Sequence, residues 1–471
     1  MTIAPLDFGI QSDPGRYGHD MSGRLINCYA EQADGKGKAQ FPFFPIEGLA
    51  SFASVSGATG WRGGISLNSY GYVVFGPVLS KVDQGGAATV IGGFPGGEPV
   101  FMARNRKAVT PQIALVSDGL RYICENDVLT SIADTDLPAS NSVISIAGYF
   151  IFTVSDGRFF ITSIDEGTTI DALDFASAET SPDGLSVAYA RGREAIMFGP
   201  SSIEFWAHTG AAAFPFELIS PATISSLGVL CKHSVRDLND IIFFVASDGT
   251  VRMLDGNSPT RVSTHSVERA IDGITDKDSI TATAYSIRGH QFYNLSSPTW
   301  TWTYDGVTGL WHERESYNET RWRGEGFVNI NGKRIIGDHE SGLLYQLDPD
   351  TFTEAANHLV WKLQSAPMHA YPNRAIVNRL FLDTIPGTGL NTTDAHNSNP
   401  QVMLRYSDTG TKNWSNERQA ATGAIGEYDK QVVFSRLGET KEDGRIYQVS
   451  MSAAVIRGLT GAAVDVELSQ P

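Results

Sequence analysis

The pairs His312-Glu313 and His339-Glu340 each set an imidazole beside a carboxylate, the minimum that proton transfer near neutral pH requires. Asp348-Pro349-Asp350 with Glu354 has some of the oxygens of a calcium loop. It lacks the glycine and the length that such a loop needs, so a proline-containing turn is the better reading. Phosphate-cradling Gly-x-x-x-x-Gly-Lys, the Gly-x-Ser-x-Gly elbow and His-Glu-x-x-His do not occur, and Gly324-Glu325-Gly326 lacks the third glycine of a dinucleotide loop. Cys28, Cys124 and Cys231 are odd in number and far apart, which argues against a disulfide framework and against thiolate metal pairs; they are expected as buried small hydrophobes. The residues thus nominate no catalytic group, no cofactor and no metal. Two carboxylates brought together by the fold could still cleave a glycoside, and spacing along the chain does not reveal such a pair.

The elements that would position any site are strands. Val116-Ser117-Asp118-Gly119-Leu120, Val154-Ser155-Asp156-Gly157-Arg158 and Ala246-Ser247-Asp248-Gly249-Thr250 each read as an apolar strand, a tight turn and a second strand. Asp caps the backbone two residues on, and Gly takes the positive φ of a two-residue hairpin without steric cost. Taking one apolar strand residue per unit, Val73, Ile113, Phe150, Ile196, Ile242, Phe292 and Ile335 recur every roughly 40 to 50 residues. That is the length of a propeller blade; a β-helix would repeat at about half of it, and two unrelated sandwiches would share no period. The fold class is therefore all-β, a β-propeller of about seven blades with six as the alternative. The longest helical stripe, Ser266 to Ile271, is short.

Composition agrees. The 471 residues include 48 glycines and only 19% charged residues, which suits many short strands joined by turns. The first residues have neither a basic start nor an apolar core, and no run nears the roughly 20 apolar residues that span a bilayer, so a soluble protein without membrane insertion is expected. A net charge of −16 argues against gripping nucleic acid. It is compatible with letting DNA slide past without sticking. Arg104-Asn105-Arg106-Lys107 and Arg321-Trp322-Arg323 are the local exceptions, read as solvated turns or strand ends.

Two flanks differ from the repeats. Residues 1–56 are rich in Gly, Pro and polar residues and read as an extended amino-terminal arm, leaving 57–356 for the propeller. Residues 357–471 carry longer alternating runs such as Ala375 to Asp383 and Val402 to Tyr406, expected as a carboxy-terminal β-rich domain. Between those runs, Thr384 to Pro400 is a long polar loop. Ser407-Asp408-Thr409-Gly410 through Trp414 resembles the Asp-box turn of sialidase propellers, a structural hairpin in those enzymes, with Trp packed beneath.

A second resemblance spans both ends. Asn27, Tyr29 and Glu31 in Gly23 to Glu31, the Gly35-Lys36-Gly37-Lys38 stretch, Gly48-Leu49 with Phe52 close behind, and Arg62-Gly63 after Thr59-Gly60 resemble the amino-terminal signature of the packaged-DNA stabilisation, or tail hub, proteins of short-tailed phages. Arg405, Ser407, Asp408 and Gly410, then Trp414 and Arg418, are similar to a carboxy-terminal run of the same family. The pattern departs at Ile46-Glu47, where the family carries the proline of Pro-Gly-Leu, and at Trp61, which replaces an aliphatic residue. The resemblance implies a structural tail hub or nozzle without enzymatic activity, made in a bacterial cytoplasm and carried in the virion tail. Its implied partners are further copies in a six-fold ring, a portal adaptor, tail spikes or fibres, a plug or needle, and DNA passing without sequence-specific contact. The competing readings are a carbohydrate-binding or glycoside-hydrolysing propeller, for which Trp300, Trp302, Trp311 and Trp322 would supply cleft aromatics, and a cellular scaffold propeller lacking Gly-His and Trp-Asp signatures. If Asn27, Tyr29 and Glu31 anchor a separable arm, removal of residues 1–56 should leave a folded propeller that fails to join a tail.

Overall fold

A computed structural model describes residues 2–33, 39–178 and 180–469. The Gly35-Lys36-Gly37-Lys38 stretch lies outside the described residues. Seven four-stranded antiparallel sheets form a propeller, and a β-sandwich follows. Blades one to six take their strands consecutively, starting at Trp61–Leu67, Phe101–Arg104, Ser142–Ile146, Val187–Arg191, Arg236–Leu238 and Thr281–Ile287. Blade seven is different. Its strands Gly324–Ile330, Lys333–Asp338 and Ser341–Asp348 are completed on the outside by Gly48–Thr59, nearly 300 residues earlier in sequence (Leu347 pairs with Leu49).

The periodic residues fall where the blade length requires. Val73, Ile113, Phe150, Ile196, Ile242, Phe292 and Ile335 all lie on the second strand of successive blades, and each is essentially inaccessible. Second strands alternate side chains towards the two neighbouring blades, so both faces are buried and the strand reads as nearly continuous apolar residues. Between each pair of blades lies one apolar layer: Leu115 with Val74 for blades one and two, Phe152 with Ala114 for two and three, and so on round to Val55, Val73 and Val328, which close seven against one.

The three Ser-Asp-Gly turns are not all alike. Asp118 and Gly119 both have positive φ, 51° and 74°, and form the expected two-residue turn. At Asp156-Gly157 and Asp248-Gly249 only the glycine is left-handed, and three residues make the loop. There the aspartate does cap two residues on, accepting from Arg158 N and Thr250 N at 3.1 Å, whereas Asp118 accepts from Gly97 N, in the segment that leads into the same blade, at 2.9 Å. The short helical stripe is a helix, His265–Asp272, capped by Thr264 and packed through Val267 and Ile271 against blades five and six.

The amino-terminal residues correct the expected boundaries. Residues 1–56 run extended against other sheets and are tied into them: strand Arg24–Ile26 is taken into one sheet, Cys28–Ala30 and Phe43–Pro45 into another, and Gly48–Thr59 into blade seven. Extended chain leaves backbone N–H and C=O groups free, and the sheet edges beside it satisfy them. The boundary placed at residue 56 falls inside Gly48–Thr59. That at 356 falls within a small hairpin, Thr353–Glu354 and Asn357–His358, which still belongs to the blade-seven sheet.

The sandwich packs two sheets over one core that includes Trp361, Leu363, Leu380, Leu404, Tyr447 and Val449. One sheet runs Cys28–Ala30, Phe43–Pro45, Leu459–Ser469, Arg374–Thr384 and Val432–Glu439, with Thr2–Pro5 also on Leu459–Ser469. The other continues blade six itself. Its last strand, Leu310–Arg314, is followed in the sheet by Arg24–Ile26, Trp361–Gln364, Ile446–Met451, Gln401–Ser407 and Arg418–Ala421, so nine strands join propeller to sandwich.

Because Leu49 is fully buried in the outer strand of blade seven among Tyr285, Trp322 and Tyr345, Leu49→Ala should lower stability by about 3 kcal/mol in denaturant unfolding. Deletion of residues 1–56 is now expected to abolish a cooperative thermal transition rather than leave an intact propeller, which calorimetry would register.

Candidate assembly site

Of the residues singled out in the amino-terminal signature, Asn27, Tyr29 and Glu31 meet at the junction of the two domains. Asn27 follows the strand Arg24–Ile26 with φ of 56°, a left-handed conformation that Asn tolerates better than most side chains. That twist turns the chain from one sheet of the sandwich to the other. Its amide Nδ2 donates to Glu315 O at 2.7 Å and Val360 O at 2.8 Å, and its Oδ1 accepts from Glu315 N at 3.1 Å. One buried side chain therefore holds the end of blade six to the start of the sandwich. Beside it Arg24 makes a two-pronged pair with Glu313, at 2.8 and 2.7 Å, and Lys362 reaches Glu315 at 2.6 Å. These charges sit along the seam where Leu310–Arg314 runs parallel to Arg24–Ile26.

Tyr29 lies over the blade-six surface, its ring 4.7 Å from His290 and 5.8 Å from Phe292. His290 bonds Asp305 through Nδ1 at 2.7 Å, and that bond raises its pKa; Glu31 comes within 3.7 Å of its other nitrogen. Glu47, where the resembled family has proline, is buried and accepts from Arg314 at 2.8 Å and from the Tyr285 hydroxyl. Arg314 in turn stacks on Trp322 at 3.8 Å, and Trp322 Nε1 donates to Glu354 at 3.0 Å. Burial pushes the Glu354 carboxyl up to about 7. Gly48 starts the strand where a Cβ would overlap the carbonyl oxygen of Thr351.

Arg62 and Gly63 tie blade one to blade two. The Arg62 guanidinium is buried and donates to Glu98 O and Gly76 O at 2.8 Å and to Ser117 Oγ at 3.0 Å. A Cβ on Gly63 would lie 2.7 Å from Val100 O, so only glycine allows this approach. The neighbouring Trp61, unusual for the resembled family, fits because Gly64, Gly326 and Gly337 lack side chains that would overlap its indole.

The carboxy-terminal set builds a hairpin. Ser407 Oγ accepts from Thr409 N at 3.3 Å and Thr411 N at 3.2 Å. Asp408 pairs with buried Arg445 at 2.7 and 2.8 Å, and Arg445 stacks on Tyr406. Gly410, at φ of 61°, lets the turn abut Gly18. Trp414 does not pack beneath the turn as in an Asp-box; it is half-buried against Arg405, 5.4 Å from the guanidinium. Arg418 crosses to the facing sheet, donating to Ser435 O at 2.8 Å.

The residues with catalytic potential are dispersed. His312 is buried, with a pKa lowered to about 3 by loss of hydration, and its neighbour Glu313 is held by Arg24. His339 bonds Glu319 rather than Glu340. Trp302, Trp311 and Trp322 are core residues rather than the lining of a cleft. Among the described residues no cluster of three or more His, Cys, Asp or Glu side chains is arranged to hold a metal ion, and all three cysteines are free and buried.

Residues 15–352 match the family described as bacteriophage P22 Gp10, beta-propeller, and residues 360–467 the companion family described as bacteriophage P22 Gp10, beta-sandwich. The chain belongs to the bacteriophage P22 Gp10 family. It is thus a phage tail-hub protein in which the two family units abut at the junction held by Asn27. No curated protein matches it. Among solved structures it is similar to the WD40 beta-propeller domain of Doa1 (10% identity, 64% of this chain and 97% of that chain, TM-score 0.42). Streptogramin B lyase gives 12% identity over 64% and 97% of the two chains, TM-score 0.42. Sequence alone did not single out Glu47, Arg314 and Glu354 as partners, since they lie on three separated segments; the departure at Ile46-Glu47 was the available signal.

Asn27→Ala should cost about 2 kcal/mol, since it leaves three partly buried backbone groups without their partner, and loss should be visible as a lowered denaturation midpoint. Glu354 has its folded pKa raised from 4.5 to about 7, so its contribution is fully present below about pH 4.5 and fades as pH rises through 7. Between pH 5 and 8, Glu354→Gln should therefore remove a downward component from the melting temperature profile of the parent chain.

Proposed function

We propose that this Gp10-family chain is the ring-forming subunit of a short phage tail. Copies assemble into a six-fold hub below the portal and its adaptor, line and close the DNA exit channel, retain the packaged genome, and carry spikes or fibres and a plug or needle. The observation that carries this reading is the nine-stranded sheet running from blade six into the sandwich, because it makes the two domains one stiff body fit for a load-bearing ring. Propeller sheets keep their edges short and protected, so neighbours can press together without exchanging strands.

Two loops of the sandwich supply a contact surface. Loops around 385–399 and 422–430 are held together by Gly387 N to Thr422 O at 3.1 Å and Gly389 N to Gly423 O at 3.3 Å. They present Leu390, Ile425 and Tyr428 to solvent, with exposures of 46, 64 and 70%. Apolar side chains held outward on a tied loop suit a protein partner better than water. Assembly, not turnover, is the proposed activity: the histidines beside carboxylates are occupied or buried, and three of the four tryptophans that a glycan cleft would use, Trp302, Trp311 and Trp322, are in the core.

Quantitative mass spectrometry of purified particles should give about one copy per two portal subunits, the ratio of a six-fold ring under a twelve-fold one; absence from particles would overturn the reading. Leu390→Asp combined with Tyr428→Asp should leave a folded chain with an unchanged melting temperature that is excluded from particles.

A further inference from the structure

Arg104-Asn105-Arg106-Lys107 is the solvated strand end expected, with Arg104 and Arg106 exposed, and it lies where the inner strands converge. Those strands surround an axial chamber of about 730 Å³, and a second of about 190 Å³ continues it past Trp61, Arg62, Arg236 and Gly326, which line both. On a chain of net charge −16 the wall of the larger chamber carries four arginines, Arg62, Arg104, Arg106 and Arg236, and neither Asp nor Glu. The smaller chamber has one carboxylate, Glu325, already held by Arg321 and the Thr281 hydroxyl.

The four guanidinium groups are not equally engaged. Arg62 is committed to carbonyls and to Ser117. Arg104 gives one nitrogen to Ser66 O at 2.8 Å and is otherwise exposed. Arg106 is exposed, and among the described residues its side chain has no carboxylate partner; only its backbone N–H reaches Asp165. Arg236 stands at the junction of the chambers, half-buried, with Nη1 on Val235 O at 2.7 Å and no acidic partner among the described residues. A cation drawn partly out of water without a counter-ion is unfavourable, and an anion entering the chamber would relieve it. Three forked donor groups around a cavity of small-molecule size match an anion with several oxygens and more than one charge.

We propose that the propeller axis is a binding site for a small phosphorylated anion, with Arg236 as its central ligand and Arg104 and Arg106 completing it at the mouth. The proposal does not depend on the tail-hub reading. The chemistry recognised is a multivalent phosphate or phosphate ester.

The test is calorimetric titration of the full chain with tripolyphosphate, in salt of about 0.1 M so that diffuse surface attraction is screened. Saturable binding of one equivalent is expected, weakened at least about tenfold by Arg236→Gln and several-fold by Arg106→Gln, and unchanged by Arg374→Gln, an exposed arginine on the sandwich. Absence of saturable binding, or equal weakening by Arg374→Gln, would overturn the proposal. So would equally tight binding of citrate, which has the charge without the phosphate. If Arg236→Gln lowers the melting temperature, the exposed Arg106→Gln decides: weakened binding supports the site and unaltered binding refutes it.

Discussion

The strand Arg24–Ile26, with Asn27 behind it, is the constraint on which the rest of the molecule hangs. It is three residues long, yet it fills the gap between the last strand of blade six and the first strand of the sandwich. Without it two sheet edges would face water with unpaired backbone groups, and the domains would share no sheet. With it they share hydrogen bonds across one sheet. The buried amide of Asn27 and the Arg24–Glu313 fork then fix register, since a shift by one residue would invert every side chain of the strand.

The same early segment closes the propeller. A circular array of blades has a weak point where its first and last blades meet, because nothing in the chain path holds them. Here Gly48–Thr59 completes blade seven and leads straight into blade one at Trp61, so separating those blades would require breaking a strand from its sheet. One stretch of sequence thus seals the ring and fixes the sandwich to it, and it also explains why residues 1–56 show so little periodicity. Their strands belong to three different sheets, and all but Gly48–Thr59 are only three or four residues long.

Buried arginines do a second kind of joining in a chain that is acidic overall. Arg62 collects carbonyls from the ends of blades one and two, Arg445 collects Leu437 O and Glu439 O with Asp408, and Arg457 collects Ala453 O and Leu359 O. Turns at blade ends and sandwich corners leave carbonyl oxygens pointing inward, and a guanidinium satisfies several at once. Burial lowers the pKa of Arg457 to about 10, since it has carbonyl dipoles rather than a carboxylate beside it. Arg104, Arg106 and Arg236 at the propeller axis stand apart because their nitrogens are not all taken up in this way.

The sequence by itself determined the local architecture: the blade period, the second strands marked by Val73 through Ile335, the Asp-Gly turns and the helix His265–Asp272. Each depends on neighbours within a few residues, where side-chain alternation and positive φ leave a direct imprint. It also carried the family signature at both ends, though not the reason for it. Tertiary structure alone decided that Asn27 bridges two domains, that Glu47 neutralises Arg314 beside Trp322, that Trp61 occupies a slot made by Gly64, Gly326 and Gly337, and that Arg236 faces an axial chamber. These pairings join segments up to about 330 residues apart, and strand pairing at such range is set by which edges remain open once the local sheets have formed. A residue's type records what it can bond; only the closed ring settles what lies within reach.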